Sequence, residues 1–215
     1  MQKVRFNVLI PWTKESTRFT GKNGLLWHYT RDWLLRELEE LPEGMEGRVF
    51  LATASGLKGV PDVLPAGWTR LVLPYEAQVN GHEWTIRAAM EAAGDGGGIW
   101  VQLQLTQPVR RRGLLADAVL AVDGGYIPQD LCLSSHVVWF DDSWRAGSLG
   151  TSKNSASAQL YDGAIYAWQG APDWFARRAI IPGLRNYSGP VVDIDFPEQF
   201  STEYIAGVQT LAGLN

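Results

Sequence analysis

Apolar and polar positions in the first half of the chain alternate between two patterns, one typical of strands and one typical of helices. Val4–Ile10 is an apolar run of strand length. Leu25–Leu41 spaces its later leucines three or four residues apart, with charged residues opposite, which predicts an amphipathic helix. Pro42 and Gly44 follow and end that helix.

The remaining apolar segments of this half continue the order of strands and helices. The patterns predict strands over Arg48–Ala54, Thr69–Leu73 and Ile99–Leu105, a helix over Trp84–Ala93, and Leu114 to about Val122 continuing the order. Strands that alternate with helices are joined by crossovers, so we expect a mostly parallel sheet with helices on both faces. The predicted fold is one three-layer α/β domain.

The middle of the chain breaks this order. Tyr126–Trp144 carries short alternating apolar segments, and Arg145–Ala158 is polar, with five serines or threonines. We interpret the region at about 126–160 as an inserted hairpin or loop within a single domain over residues 1–215. Three further elements are predicted after it, namely strands over Tyr161–Trp168 and Gly189–Asp195 and a closing helix over Glu198–Ala212.

Composition narrows the class of protein. The 215 residues are 46% hydrophobic and 20% charged, with a net charge of −4. These values are typical of a globular protein and give no general electrostatic basis for binding nucleic acid or an anionic membrane. The single cysteine, Cys132, excludes an internal disulfide and a zinc site built on cysteines. The sequence has no signal-peptide pattern and no 18-residue apolar run, so we expect a cytoplasmic protein.

A loop rich in cations follows the first predicted strand and leads into the first helix. It contains Lys14, Ser16, Arg18, Lys22 and Asn23. The unpaired N–H groups and positive dipole end of a helix attract anions, and lysine and arginine add full charges. This arrangement predicts polyphosphate binding. The loop lacks the Walker pattern, and a solvated basic turn is the alternative.

A second polar segment, residues 104–110, follows a predicted strand. Open α/β sheets bind ligands at the carboxyl ends of their parallel strands. The amide of Gln104 both donates and accepts hydrogen bonds, which suits a base edge or sugar hydroxyls. The alternative is an ordinary strand-to-helix turn, with the three arginines at 110–112 as a solvated helix start.

Two carboxylates stand close together near the end of the chain. Asp193 and Asp195 alternate in a predicted strand, so both side chains would project to the same face. Paired carboxylates favour a hard cation, and Mg²⁺ takes one or two carboxylates together with substrate phosphates. The alternative is that Asp195 caps the closing helix, with Glu198 three residues later as in a capping box.

Together and in this order, these segments resemble the CMP-sialic acid synthetase family of cytidylyltransferases. The family's opening I-P-A-R-x-x-S-x-R-x-P-x-K-N is similar to this chain at Ile10, Pro11, Ser16, Arg18, Lys22 and Asn23. Its L-Q-P-T-S-P-L-R resembles residues 103–110, its Y-x-x-N-G-A-I-Y resembles residues 159–166, and its D-I-D-T-P-E-D resembles residues 193–199. The four blocks span nearly the whole chain.

This resemblance implies a Rossmann-like domain of the GT-A, or nucleotide-diphosphosugar transferase, type. Members join CTP to a sugar acid with release of pyrophosphate, use Mg²⁺ and are usually homodimers. By position, the resemblance implies that the nucleotide is bound by Pro11, Ser16, Arg18, Lys22 and Asn23, of which Arg18 and Lys22 would be catalytic. It implies substrate binding by Gln104, Thr106 and Tyr161. It also implies metal binding by Asp193 and Asp195. The expected partners are an NTP, most simply CTP, and a sugar-like acceptor.

Departures from the family pattern leave two alternatives open. Thr13 stands where the family has arginine, and Trp12 stands where it has alanine. These changes are compatible with a nucleotide- or sugar-binding protein without catalysis. The second alternative is a glycosyltransferase of the related fold that uses a nucleotide-sugar. Such enzymes usually carry a D-x-D in mid-chain, whereas the D-I-D of this chain is late.

Overall fold

The structure is a computed structural model that describes residues 3–12, 18–79, 82–124, 131–140, 146–147, 156–170, 178–188 and 192–211. Within these ranges, no helix is both long and apolar enough to cross a membrane.

Four strands form the parallel half of the sheet. In chain order they are β1 (Val4–Pro11), β2 (Met45–Ala54), β3 (Trp68–Leu73) and β4 (Ile99–Leu103). Their spatial order is β3-β2-β1-β4, and each neighbouring pair is parallel. β4 is buried along its whole length, and β1 is buried after its first two residues. Strands that are covered on both faces have this continuous apolar character.

Five helices are described, and the predicted order contains all of them except the short second helix. They are α1 (Lys22–Glu39), α2 (Tyr75–Val79), α3 (His82–Ala92), α4 (Leu114–Asp123) and α5 (Thr202–Leu211). α1 begins three residues earlier than predicted. Its start is set by Gly21, which adopts a left-handed φ of 76° and accepts a hydrogen bond from the Leu25 N–H at 3.1 Å. Glycine takes that conformation without the steric cost that a side chain would add.

Two separate cores lie on the two faces of the sheet. Side chains alternate along β1, so Val8 and Ile10 enter one core while Leu9 enters the other. The first core also contains apolar residues of α1, α4 and α5, and the second contains those of α2 and α3. The predicted three-layer α/β architecture, with a mostly parallel sheet and helices on both faces, is therefore confirmed.

The second half of the sheet is built from the middle of the chain. Its strands are β5 (Leu131–Phe140), β6 (Ala146–Gly147), β7 (Ala156–Gln169) and β8 (Arg178–Ser188). β7 pairs antiparallel with β4, β5 pairs antiparallel with β7 and β6, and β8 pairs parallel with β5. The segments at 131–140 and 156–169 thus extend the main sheet. The predicted strand at Tyr161–Trp168 forms the later part of β7.

The end of the chain differs from the prediction. Residues 192–195, the described part of the predicted strand Gly189–Asp195, form no strand. The Ile194 N–H donates to the Thr106 carbonyl at 2.9 Å, but this contact is not continued as a ladder among the described residues. The predicted closing helix is divided into a 3-10 turn, Pro197–Gln199, and α5.

Candidate active site

A cleft of about 220 Å³ lies where β1 and β4 end. The chain passes from β1 to β2 on one side and returns through β3 to β4 on the other side of β1. The two crossovers therefore diverge between β1 and β4, and open α/β sheets bind ligands at such a switch point. The cleft is lined by Pro11, Lys22, Asn23, Gln104, Leu105, Thr106, Asp193 and Asp195. Seven of these residues are candidates that the sequence analysis named.

In this cleft, Lys22 from the first part of the sequence contacts Asp195 from the last part. It is the first residue of α1, and its Nζ lies 3.0 Å from Oδ1 of Asp195. The Lys22 side chain is only 11% exposed, whereas that of Asp195 is 42% exposed. The sequence leaves the first turn of α1 without an acidic residue. A cation and a helix N-terminus therefore act together on any anion that enters.

The two carboxylates reach the cleft because their neighbours are buried in the core. Val192 and Ile194 are each 1% exposed, and they alternate with Asp193 and Asp195. An extended backbone sends alternate side chains to opposite sides, so both aspartates lie on the side away from the core. The two line one cleft although the segment is not a strand. The expectation that both carboxylates share a face thus holds, although no strand forms at this position.

Asp195 does not cap the closing helix. Ser201 performs that role, because its Oγ accepts a hydrogen bond from the Tyr204 N–H at 3.1 Å. The turn before α5 is held by Gln199, whose Oε1 accepts from the N–H groups of Asp195 and Phe196 at 2.7 Å each. The capping interpretation of Asp195 and Glu198 is therefore wrong. The Asp195 carboxylate instead pairs with Lys22.

Gln104 and Thr106 lie on the loop that follows β4. The Gln104 Nε2 donates to the hydroxyl of Tyr166, a buried residue of β7. Thr106 accepts the Ile194 N–H, so this loop also supports the segment that carries the two aspartates. The acceptor-binding and metal-binding candidates are therefore connected through a backbone hydrogen bond.

Arg110 holds this loop from beneath. Only 4% of Arg110 is exposed. Its guanidinium donates to the carbonyls of Gln104 and Ala164 and to the Thr30 hydroxyl, and it lies 5.3 Å from the centroid of the Trp33 ring. The alternative that Arg110 belongs to a solvated helix start is thus wrong. The sequence alone does not identify this role, because it does not show which of three consecutive arginines is buried.

Glu37 supports the far end of the same loop. Its carboxylate accepts from the N–H groups of Gly113 and Leu115 at 2.8 and 3.0 Å, at the start of α4. An anion at a helix N-terminus is favourable. Burial nevertheless raises the pKa of Glu37, and the two backbone hydrogen bonds oppose that rise only in part.

The remaining candidates do not line the cleft or lie outside the described residues. The Arg18 guanidinium lies 5.2 Å from the centroid of the Phe196 ring, beside Asp195. Lys14 and Ser16 fall outside the described residues, and for Tyr161 only the backbone of β7 is described.

Trp12, which stands where the family that the motifs resemble has alanine, is a core residue. It is 2% exposed, its Nε1 donates to the Lys58 carbonyl at 3.3 Å, and its ring packs edge-on against Trp27. The large ring at this position is thus accommodated in the core.

The cleft offers a metal ion two carboxylates. Among the described residues, no group of three or more histidines, cysteines, aspartates or glutamates could hold a metal. Asp193 and Asp195 alone fit Mg²⁺, which retains waters and completes its shell with substrate phosphates. They would not fit a structural zinc site, which needs four protein ligands.

Comparisons with known proteins support the fold. No protein-family model and no curated protein sequence matches the chain. The structure of CMP:2-keto-3-deoxy-manno-octonic acid synthetase in complex with CTP matches with a TM-score of 0.63 at 12% identity, over 96% of this chain and 98% of that one. 4-Diphosphocytidyl-2C-methyl-D-erythritol synthase from Anaerococcus prevotii gives a TM-score of 0.49 at 10% identity, over 96% and 97%. The first match shows that this chain shares its α/β fold with that synthetase.

Proposed function

We propose that this protein is a nucleotidyltransferase that transfers a nucleoside monophosphate from an NTP to a sugar or sugar-acid acceptor and releases pyrophosphate. The observation that carries the proposal is the cleft at the switch point of the sheet. It brings one cation, two amides and two carboxylates together from three distant segments of the chain. CTP is the favoured donor, because the fold match is a synthetase in complex with CTP and the motifs resemble those of cytidylyltransferases.

Lys22 and Asn23 are proposed to bind the triphosphate. Both line the cleft in the first turn of α1, and Arg18 packs against Phe196, the residue that follows Asp195. Attack at phosphorus increases the negative charge on the equatorial oxygens, and a preorganised cation with helix N–H groups stabilises that charge with little rearrangement.

Asp193 and Asp195 are proposed to hold Mg²⁺. When bound, the ion would neutralise phosphate charge and help to orient the α-phosphate. Asp195 would have to part from Lys22 to do so, since the two groups are 3.0 Å apart.

Gln104 and Thr106 are proposed to bind the acceptor beside the α-phosphate. A hydroxyl oxygen of the acceptor forms a bond to the α-phosphorus, the bond from that phosphorus to the bridging oxygen breaks, and pyrophosphate leaves. The hydroxyl proton passes to solvent or to a base that we do not name. The Gln104 amide is held by Tyr166, which fixes the position of its polar atoms before the acceptor arrives.

The test is to incubate the protein with each NTP, Mg²⁺ and a panel of sugars and sugar acids, and to measure pyrophosphate. Release that requires one nucleotide and one acceptor is expected. Nucleotide binding without pyrophosphate would instead favour a binding protein without catalysis, an alternative supported by Thr13 in place of the family's arginine. Turnover of a nucleotide-sugar donor would favour the glycosyltransferase. A cytoplasmic location and a homodimer remain predictions.

A further inference from the structure

We infer that Lys22 and Asp195 form an ion pair that exchanges partners when ligands bind. Without ligands, Asp195 occupies the position of the phosphate that would bind Lys22, and Lys22 occupies the position of the metal ion that would bind Asp195. The inference rests on the proposed function and adds a consequence to it. Polyphosphate and metal ion should each bind weakly alone and more tightly together, because either ligand frees the partner residue of the other.

The first argument is the burial of Lys22. Its side chain is 11% exposed, and its Nζ lies 3.0 Å from Asp195. A lysine whose side chain is largely buried is costly without a partner of opposite charge. In the protein without ligands, the Asp195 carboxylate supplies that charge. A phosphate oxygen is an anion of the same kind, so it competes with the carboxylate for Lys22.

The second argument is the freedom of the Asp195 side chain relative to its backbone. Hydrogen bonds hold the backbone on both sides, from Ile194 to Thr106 at 2.9 Å and from Asp195 to Gln199 at 2.7 Å. The side chain itself is 42% exposed and lines the cleft. Exchange of partners therefore needs only a change of side-chain rotamer, which is a fast and inexpensive motion.

The third argument is the sign of the charges. An ammonium within hydrogen-bonding distance of Asp195 repels a divalent cation and occupies one carboxylate oxygen. A carboxylate beside Lys22 likewise repels phosphate. Binding of one ligand removes the obstacle to the other, and such coupling between two ligands is reciprocal in free energy.

One experiment measures metal affinity without nucleotide. Mn²⁺ binding is followed by electron paramagnetic resonance in the wild type, in Lys22→Met and in the control Lys3→Met. Lys3 is matched because it also pairs with a carboxylate, that of Glu46, at the other end of β1. We expect Lys22→Met to bind Mn²⁺ about fivefold more tightly than wild type, and Lys3→Met to match wild type.

The converse experiment measures binding of CTP, and of inorganic tripolyphosphate, in the presence of EDTA by calorimetry. Asp195→Asn should bind each about fivefold more tightly than wild type. Glu198→Gln removes the same charge from an exposed position nearby and should have no effect. Asp193→Asn distinguishes the exchange of partners at Lys22 from general repulsion between a carboxylate and phosphate. If both aspartate variants gained the same affinity, the contact between Lys22 and Asp195 would have no particular effect.

The inference is overturned if Lys22→Met binds Mn²⁺ no better than wild type, or if Asp195→Asn shows no gain beyond that of Asp193→Asn. Since the pair is tested from both sides, failure of one variant to fold leaves the other measurement decisive. These outcomes are distinct from failure of the proposed function, which would appear as wild-type protein that neither binds CTP nor releases pyrophosphate.

Discussion

Two polar clusters lie at opposite ends of the parallel strands, and they are built differently. At the amino end, Asn7 donates to Asp95 at 2.9 Å and accepts from Arg48 at 2.9 Å, and Arg48 pairs with Asp95 at 2.7 Å. Asn7 also donates to the Ile99 carbonyl. At the carboxyl end, Lys22 pairs with Asp195 among further polar residues of the cleft.

The difference shows that a cluster of charges is not by itself a sign of function. The cavity at the amino end, about 380 Å³, is larger than the cleft at the carboxyl end, about 220 Å³. Its side chains, however, close a network among themselves, which stabilises the start of β1 and β2. The carboxyl end is where the topology of the sheet directs ligands, and it combines a helix N-terminus with both signs of charge.

The strongest test of this contrast is Lys22→Ala compared with Lys3→Ala. Loss of the Lys22 ammonium should lower the rate of pyrophosphate release by roughly 100-fold or more, because a preorganised charge at the reacting phosphate is lost. The melting temperature should remain close to that of wild type. Lys3→Ala, directly before the start of β1 and at the opposite end of the parallel strands, should keep full activity. Equal activity of both variants would remove the first loop from the mechanism.

Asp195→Asn tests the carboxylate side of the cleft. We expect activity and its stimulation by Mg²⁺ to fall by roughly 10- to 100-fold, since a proposed metal ligand is lost. A titration of activity against Mg²⁺ checks this, with Glu198→Gln as the charge control. A variant that keeps its Mg²⁺ dependence and loses only thermal stability would show that Asp195 has a structural role.

Asn7→Ala tests the opposite end. It removes hydrogen bonds to Asp95, Arg48 and Ile99, so the free energy of unfolding should fall by about 1–3 kcal/mol. Urea denaturation measures that loss. The kcat should be unchanged, because Asn7 is four strand residues, or about 13 Å, from Pro11 at the cleft. A large loss of kcat in folded Asn7→Ala would mean that the two ends are coupled.

Local pattern predicted the parallel half of the molecule well. Hydrophobic periodicity indicated α1 and the apolar strands β1, β2 and β4 to within a few residues, because these elements are covered by the two cores along most of their length. The strand β8 was missed, since Pro182 and Gly183 stand inside it and both are typical of strand ends or bulges. The register between β5 and β8 shifts in that region, which accommodates the two residues.

The candidate site was predictable in its members but not in its contacts. Ordered motifs selected Lys22 and Asp195, which are 173 positions apart. No periodicity indicates that their side chains form an ion pair. The inward turn of Arg110 and the bond from Gln104 to Tyr166 likewise depend on packing between α1, β4 and β7, which only the folded chain defines.

The smallest expected effect concerns Glu37, a residue of α1 whose carboxylate binds the end of the loop that connects the cleft to α4. Burial raises the pKa of Glu37 above its ordinary value of 4.5. The unfolded chain therefore loses its proton first as the pH rises, and the folded state loses stability until the pH passes the raised pKa. Glu37→Gln has no carboxyl group to titrate, and we expect it to be less stable than wild type. The difference in unfolding free energy between the two proteins should become smaller as the pH rises through that window. Urea denaturation of both proteins at several pH values measures the difference. If the deficit widens instead, the α4 N-terminus and the two N–H bonds outweigh burial at Glu37, and its carboxylate acts as a favourable helix cap.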